Sequence, residues 1–262
     1  MAEHMNLYQR AIYYDVIFDR DVSREADFIT QAYQHYSGKA GPAAVLDLAC
    51  GPGYHALEFA RRGIAATGLD LGKEMLTLAR EKAAAQGLPV HWIEGDMRSF
   101  ALERPVDAAF IMFDGLDALL SNEDLVTHLH AVGQALNPGG VYLVDLTHPR
   151  ECSFQSYGSY GYHGRRDGVD VEIRWATNSP HFDLVTGVAD VELELHVRDN
   201  GREILVKDKA RERLLLPQEI RLLAEKSGLL QVVGWHGDYD VRQPLDNSQA
   251  SRRMIAVLQR VV

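Results

Sequence analysis

The sequence predicts an α/β fold: a doubly wound, mostly parallel seven-stranded sheet, with an antiparallel β insertion before the last helix and strands. Three observations predict it. Up to about residue 150, short apolar runs alternate with segments of helical period. From 169 to 216 the period becomes two, as in strands with one wet face. Beyond Pro217 a helical segment and two further apolar runs follow.

Residues 43–49 (AAVLDLA) are continuously apolar up to their Asp, as a strand covered on both faces requires. The segment 54–62 has helical spacing, and Gly63 is placed to stop it. IAATGLD (64–70) is the next strand. Residues 73–86 put Met75, Leu76 and Ala79 on one helical face, with Gly87 as the stop. VHWIEGD (90–96) and VDAAFIMFD (106–114) read as strands, 122–136 as a helix closed by NPGG (137–140), and VYLVDLT (141–147) as a fifth strand. Right-handed crossovers between such strands cover both faces and leave ligands at the carboxyl ends. Residues 153–164, rich in Tyr, Gly and Ser, read as a loop. Segments 169–176, 184–197 and 202–216 read as antiparallel strands, with Val191, Leu193, Leu195 and Val197 on one side and DNG (199–201) as a hairpin turn. Pro217 opens a helix that Gly228 closes, and 229–235 and 253–261 are the final strands.

Composition narrows the function classes. A chain of 262 residues can bury a substantial core. Its formal net charge of −10 repels phosphate backbones, so nucleic acid is not an expected partner. No apolar stretch reaches eighteen residues, so no membrane span is expected, and the first ten residues (MAEHMNLYQR) lack the apolar centre of a secretory signal. Two cysteines, Cys50 and Cys152, are too few for a disulfide framework or a cysteine metal site, and a reducing, cytoplasmic setting is the expectation. His128 and His130 lie two apart on a helix and face differently, so no metal cluster is expected.

The stretch AAVLDLACGPGYH (43–55) carries the first chemical signal. Gly51 and Gly53 stand between a strand and a helix, where glycine permits a tight turn and close backbone approach to a ligand, and the helix start offers free N–H groups. Residues 51–56 satisfy G-x-G-x-x-G/A, and Asp70 ends the next strand near the spacing of a ribose-binding acid, so these features alone admit a nicotinamide dinucleotide. Asp47, at the end of the first strand, points elsewhere: a carboxylate there suits a ligand carrying a cation and opposes a pyrophosphate.

Residues 47–53 (DLACGPG) resemble motif I of class I S-adenosylmethionine-dependent methyltransferases, of Rossmann-like fold, and four more motifs follow in order. Asp70 resembles the acid that takes both ribose hydroxyls. Residues 72–76 (GKEML), with Leu71 before them, resemble the adenine-packing stretch that includes Met75. Gly95-Asp96-Met97 resembles the adenine-contacting motif, with Asp96 placed for the exocyclic amine. Phe113-Asp114 ends the fourth strand at the floor beneath the sulfonium, and LNPGG (136–140) precedes the fifth. The likeness covers roughly 40–150 and the last two strands. It implies S-adenosylmethionine as cofactor and S-adenosylhomocysteine as product. The chemistry agrees: a bidentate carboxylate suits paired hydroxyls, the Ala49 carbonyl suits an ammonium, and Cys50, Gly51 and Gly53 complete the loop.

Residues 13–29 resemble the lid helix of small-molecule methyltransferases, especially aminosugar N,N-dimethyltransferases and glycine N-methyltransferase, in which a Tyr-Asp pair, here Tyr14-Asp15, lies near the methyl-transfer centre. The segment 19–25 departs from the sugar enzymes, lacking their lysine- and glycine-rich stretch. The resemblance implies N-terminal lid helices over 1–40, a cofactor-binding core over 41–150 and 217–262, and an insertion over 151–216 that covers the substrate site. The candidate catalytic residues are Tyr14 and His148, the latter just beyond the fifth strand; His163, His181 and His236 are further candidate bases. Phe154, Tyr157, Tyr160 and Tyr162 could form an aromatic wall, and Asp114, Tyr239 and Arg242 could border the acceptor, Arg242 holding an acidic group. The expected activity is methyl transfer to nitrogen or oxygen of a small molecule by a monomer or homodimer. The alternatives are a nicotinamide-dependent oxidoreductase and a non-catalytic S-adenosylmethionine-binding regulator.

Overall fold

The computed structural model describes residues 7–152, 154 and 157–261. In chain order the elements are α1 (Ala11–Phe18), α2 (Ser23–Ser37), β1 (Ala44–Leu48), α3 (Tyr54–Arg61), β2 (Ala65–Asp70), α4 (Lys73–Gln86), β3 (Val90–Glu94), β4 (Val106–Ile111), α5 (Asn122–Ala135), β5 (Leu136–Thr147), β6 (Tyr160–Arg166), β7 (Val169–Trp175), β8 (Val188–Asp199), β9 (Arg202–Arg213), α6 (Pro217–Ser227), β10 (Leu230–His236) and β11 (Arg253–Arg260). Short 3₁₀ turns lie at Leu7–Gln9 and Gly115–Ala118.

Strand alternation sorts the core into two layers. Val45, Phe110, Leu143 and Ile255 pack on one face of the sheet with Phe28, Tyr33 and Phe59. Leu46, Ile111, Val144 and Ala256 pack on the other with Leu125, Leu129 and Leu223. These positions are fully or almost fully buried, and each large aliphatic or aromatic side chain contributes about 1.5–3 kcal/mol by leaving water. The seven-stranded sheet has the order β10-β11-β5-β4-β1-β2-β3. Strands β1 to β5 run parallel, while β11 is antiparallel to both β5 and β10. The carboxyl ends of β1, β2, β3, β4 and β5 therefore share one edge, where the chain direction reverses into loops.

A separate sheet, β6-β7-β8-β9, is wholly antiparallel. One of its faces packs Val171, Ile173, Leu195 and Val206 against Val16 and Leu7 of the N-terminal segment. The outer face carries cross-strand ion pairs such as Lys209–Glu192 at 2.9 Å and Lys207–Glu194 at 2.6 Å.

The structure differs from the sequence reading in four places. Residues 160–166 of the Tyr- and Gly-rich segment form strand β6 rather than loop, and Ser153, Gln155 and Ser156 of it lie outside the described residues, as do residues 1–6 of the N-terminal stretch. The lid is two helices, broken at 19–22, where Asp21 accepts the Ser23 N–H at 2.8 Å. Residues 184–187 are a turn, closed by Asp183 Oδ1 on the N–H groups of Val185 and Thr186, not the start of a strand. The NPGG segment pairs as the first part of β5, and α5 ends at Ala135.

Candidate active site

The edge formed by the five parallel strand ends opens into a cavity of about 970 Å³, roofed by α1 and the antiparallel sheet. Asp47 at the end of β1 is 2 % exposed, and its Oδ2 accepts the Ala56 N–H at 3.1 Å, tying the strand to the start of α3. Burial, with Asp70 nearby, pushes its carboxyl up to about 8. Between them the chain turns through Ala49 and Gly51, both with positive φ (51° and 53°). A side chain on Gly51 would point into open space, so the backbone there presents itself bare to the cavity.

Asp70 at the end of β2 organises this loop. One carboxylate oxygen accepts the Gly51 N–H at 2.7 Å and the other the Gly72 N–H at 2.7 Å. A carboxylate has about four lone-pair sites, so two acceptor sites remain for a ligand. Leu71 beside it is 73 % exposed, an apolar residue held out at the cavity rim. Met75, from α4, is buried beneath. Asp96 and Met97 follow β3; Arg98 pairs with Asp96 at 2.6 Å and with Asp124 at 2.8 Å and holds the Asp96 carboxyl below its ordinary range. The Met97 carbonyl bonds the buried His128 Nδ1 at 2.8 Å, and Tyr142 Oη lies 2.7 Å from Nε2. Burial depresses His128 to about 4, so the ring is neutral and its Nδ1–H anchors this loop from behind.

The end of β4 is strained. Phe113 and Asp114 have φ of 56° and 67°, a region that costs a non-glycine residue about 1–3 kcal/mol and persists only where neighbours enforce it. Asp145 enforces it: its Oδ2 accepts the Phe113 N–H at 3.0 Å and its carbonyl the Asp114 N–H at 3.1 Å. Asp114 in turn accepts from the Thr147 backbone N–H and hydroxyl and from Arg253. The result thrusts the Phe113 ring into the cavity, 38 % exposed.

The far end of the cavity belongs to α1 and the insertion. Tyr14, Phe18, Phe113 and Tyr162 form a contiguous wall, with ring centroids 4.5, 5.7 and 5.1 Å from Phe18. Tyr157, Tyr160, Trp175 and Glu212 continue it. Glu212 accepts from Trp175 Nε1 at 2.8 Å and from the Tyr157 hydroxyl. Asp15 latches the roof: buried, it takes the Tyr54 hydroxyl at 2.9 Å, Lys82 at 2.5 Å and Arg166 at 2.5 Å, from α3, α4 and β6.

Tyr14, Asp47, Ala49, Cys50, Gly51, Asp70, Leu71, Met75, Asp96, Met97, Phe113, Asp114, Tyr157 and Tyr160 thus line one cavity. Besides the other histidines, five expected residues do not, and one of them, Phe154, packs instead against Phe182 with ring centroids 6.3 Å apart. Gly53 packs behind the loop, where a Cβ would meet the Trp92 ring at 2.3 Å, so it serves packing. His148 is buried and spent: its Nδ1 accepts the Arg150 N–H at 3.0 Å and its Nε2 donates to the Asp246 carbonyl at 2.9 Å, which leaves no nitrogen for a substrate proton. Tyr239 gives its hydroxyl to Asp145 at 2.9 Å and packs on Phe28. Arg242 points to solvent and pairs with Asp240 at 2.9 Å. Among the other histidines, His163 pairs with Asp170 and His236 with the Tyr36 hydroxyl.

The reading missed Phe18, His55, Asp117, Trp175 and Glu212, which also line the cavity. Two had a signal. Glu212 and Trp175 occupy inward positions of alternating strands, in register with Ala210 and Val206 and with Ile173 and Val171. A carboxylate on such a face needs a partner or a ligand.

Comparison with known proteins adds relatives of sequence and of fold. Residues 45–140 match the family model described as "Methyltransferase domain". A Streptomyces venezuelae dTDP-3-amino-3,4,6-trideoxy-alpha-D-glucopyranose N,N-dimethyltransferase is 32 % identical over 135 residues, 50 % of this chain and 54 % of that one. The chain spans about half the length of the curated relatives it matches. An S-adenosylmethionine-dependent methyltransferase from Clostridium acetobutylicum superimposes with a TM-score of 0.78 over 98 % of this chain and all of that one, at 21 % identity. DesVI of Streptomyces venezuelae superimposes with a TM-score of 0.74, at 23 % identity, over 98 % and 99 %. The chain has the fold of these solved methyltransferases.

The donor set fits S-adenosylmethionine. Asp70 has acceptor capacity left for two hydroxyls, Leu71 and Met97 offer apolar faces, and the bare Gly51 backbone gives close approach. A cation bound at this end would favour the charged forms of Asp47 and Asp70, which burial otherwise disfavours. The buried Asp47 carries a pH signature. Its folded-state proton is held up to about 8, above the ordinary carboxylate range, so its contribution to stability is full below that range and is lost as pH rises toward 8. Burial raises Asp70 in the same direction. Thermal unfolding of the ligand-free protein should therefore show a melting temperature falling from about pH 4 to about pH 8, with a shallower fall in Asp47→Asn. An unchanged slope in that variant would remove Asp47 from this role.

Proposed function

We propose that this protein is an S-adenosylmethionine-dependent methyltransferase that moves a methyl group to nitrogen or oxygen of a small molecule and releases S-adenosylhomocysteine. The observation that carries the reading is one continuous cavity. It joins Asp70, Gly51 and Met97 at the parallel strand ends to the aromatic wall of α1 and the insertion. A ligand held at the first end and an acceptor at the second would meet beside Phe113 and Tyr14, both of which line the passage. The named activity of the Streptomyces venezuelae relative, on a small aminosugar, supports the same class.

When bound, S-adenosylmethionine supplies a methyl group already activated by its sulfonium. The chain's residues then have positional and electrostatic work. Asp70 fixes the ligand's ribose end, and Asp47 ties the end of β1 to the start of α3 beneath the loop. Phe18, Tyr14 and Tyr162 keep water from the transfer point. The chain divides accordingly into lid helices within 1–40, a ligand-holding core of 41–150 and 217–262, and a covering insertion, 151–216. No helix of the described residues is long and apolar enough to cross a membrane, and Cys50 and Cys152 are free thiols, which supports a reducing cytoplasmic setting.

The test is transfer from methyl-labelled S-adenosylmethionine into a small-molecule extract of the native host. Label is expected in a new metabolite, whose mass identifies the methylated atom. Absence of both label transfer and S-adenosylmethionine binding by calorimetry would overturn the reading.

A further inference from the structure

The acceptor end of the cavity is built of aromatic rings whose polar tips are already bonded. Trp175 Nε1 donates to Glu212 at 2.8 Å, and the Tyr157 hydroxyl donates to the same carboxylate. The Tyr160 hydroxyl donates to the Glu151 carbonyl at 3.3 Å. Asp114 accepts from the Thr147 N–H and hydroxyl and from Arg253. The polar side-chain groups left without a partner among the described residues are few: the Tyr162 hydroxyl, the half-buried Asp117 carboxyl and His55 Nε2. Burial depresses His55 to about 4, so its ring is uncharged at neutral pH. Burial, with Glu212 facing it, holds Asp117 toward its neutral form.

The ring faces themselves are open. Phe113 and Tyr162 are each 38 % exposed, although both line the interior of the cavity. Phe18 meets Phe113 at a centroid distance of 5.7 Å and Tyr162 at 5.1 Å, and Phe113 meets Tyr162 at 6.1 Å. Their planes cross at 67°, 59° and 57°, so no ring lies flat on another and covers its face. Backbone strain holds Phe113 in this place, its φ of 56° enforced through Asp145. An apolar ring kept half-exposed against strain marks a contact surface rather than core packing.

These features select among acceptor bodies. A sugar ring carries many hydroxyls, and each one taken from water without a partner weakens binding. The few open polar groups at this end cannot serve them. An anion finds Arg253 held by Asp145 and Asp114, and Arg20 held by Glu25. A fixed cation gains little from the Asp117 and Glu212 carboxyls, both raised toward their neutral forms. A flat aromatic ring suits the geometry, because it sets face or edge against the open rings and needs few hydrogen bonds. We infer that the acceptor carries its methyl-accepting atom on an uncharged, planar aromatic body, seated among Phe113, Tyr162, Tyr157 and Trp175. This rests on the methyl-transfer reading of the same cavity. It departs from the aminosugar named for the Streptomyces relative.

Calorimetric titration of the full chain at saturating S-adenosylhomocysteine, comparing benzyl alcohol with cyclohexylmethanol, tests the proposal. The two carry the same hydroxymethyl group and differ in whether the ring is flat. Methyl β-D-glucopyranoside is the sugar probe. Benzyl alcohol is expected to bind about tenfold more tightly than cyclohexylmethanol, and the glucoside more weakly than either. Tyr162→Leu and Phe113→Leu, each checked for cooperative melting, should each cut the flat-ring preference by about threefold. Equal binding of the two alcohols by the unaltered protein overturns the proposal. So does a glucoside that binds more tightly than benzyl alcohol, or a preference that survives both substitutions. If S-adenosylhomocysteine binds and the two alcohols bind alike, this inference fails and the methyl-transfer reading stands. If S-adenosylhomocysteine does not bind while the flat-ring preference persists, the methyl-transfer reading fails and the aromatic site stands.

Discussion

Asp70→Ala is expected to weaken S-adenosylmethionine binding by about a hundredfold or more, measured by calorimetry on the purified chain. Two hydrogen bonds from ligand hydroxyls to a charged carboxylate are together worth about 3 kcal/mol, or some two powers of ten in affinity. The same change releases the Gly51 and Gly72 N–H groups, which Asp70 holds at 2.7 Å each, so the loop that approaches the ligand loses its shape as well. Asp70→Asn separates the two effects. It keeps one acceptor oxygen and similar volume, and should lose less. Affinity within threefold of the unaltered protein in both variants would exclude Asp70 from the ligand.

Arg253→Met should produce the largest loss of stability. The Arg253 side chain is 18 % exposed and serves three acceptors: Asp145 at 2.7 Å, Asp114 at 3.1 Å and the Thr147 hydroxyl at 3.3 Å. Asp145 is fully buried, so removing the guanidinium strands a buried carboxylate, a change that costs about 3–5 kcal/mol. For a chain of this size the melting temperature should fall on the order of 10 °C. Adding Asp145→Asn should recover part of the loss, because the stranded charge is gone. A fall of under about 2 °C in the single variant would show that Asp145 finds another partner. The site should suffer too, since Asp145 keeps Phe113 and Asp114 in their left-handed conformation.

Much of the parallel core was legible because each of its signals is local. A strand covered on both faces must be apolar throughout, and residues 44–48, 65–70 and 106–111 are nearly so. Helix α4 matches the range 73–86 read from spacing and Gly87, because the cap and the period agree. Strand β6 was illegible for a physical reason. Its glycines depress strand propensity, yet pairing with β7 holds it extended. One of them, Gly164, is needed because a Cβ there would lie 2.0 Å from the Val16 carbonyl oxygen of the lid.

The site divides along the same line. Asp47, Asp70, Asp96 and Phe113 could be placed at one edge from sequence, because parallel strands must end together and each residue's place is set by its own strand. His148 could not be judged that way. Its position beyond β5 put it near the edge, but the Asp246 carbonyl, 98 residues on, decides where its ring points. Glu212, Trp175 and Asp117 come from three separate elements, and their shared cavity exists only once the insertion folds over the strand ends. Pattern and spacing determine what each segment becomes, since those depend on neighbours along the chain. Which side chains stay paired and which are left facing a ligand depends on neighbours in space, and that only the assembled tertiary structure could decide.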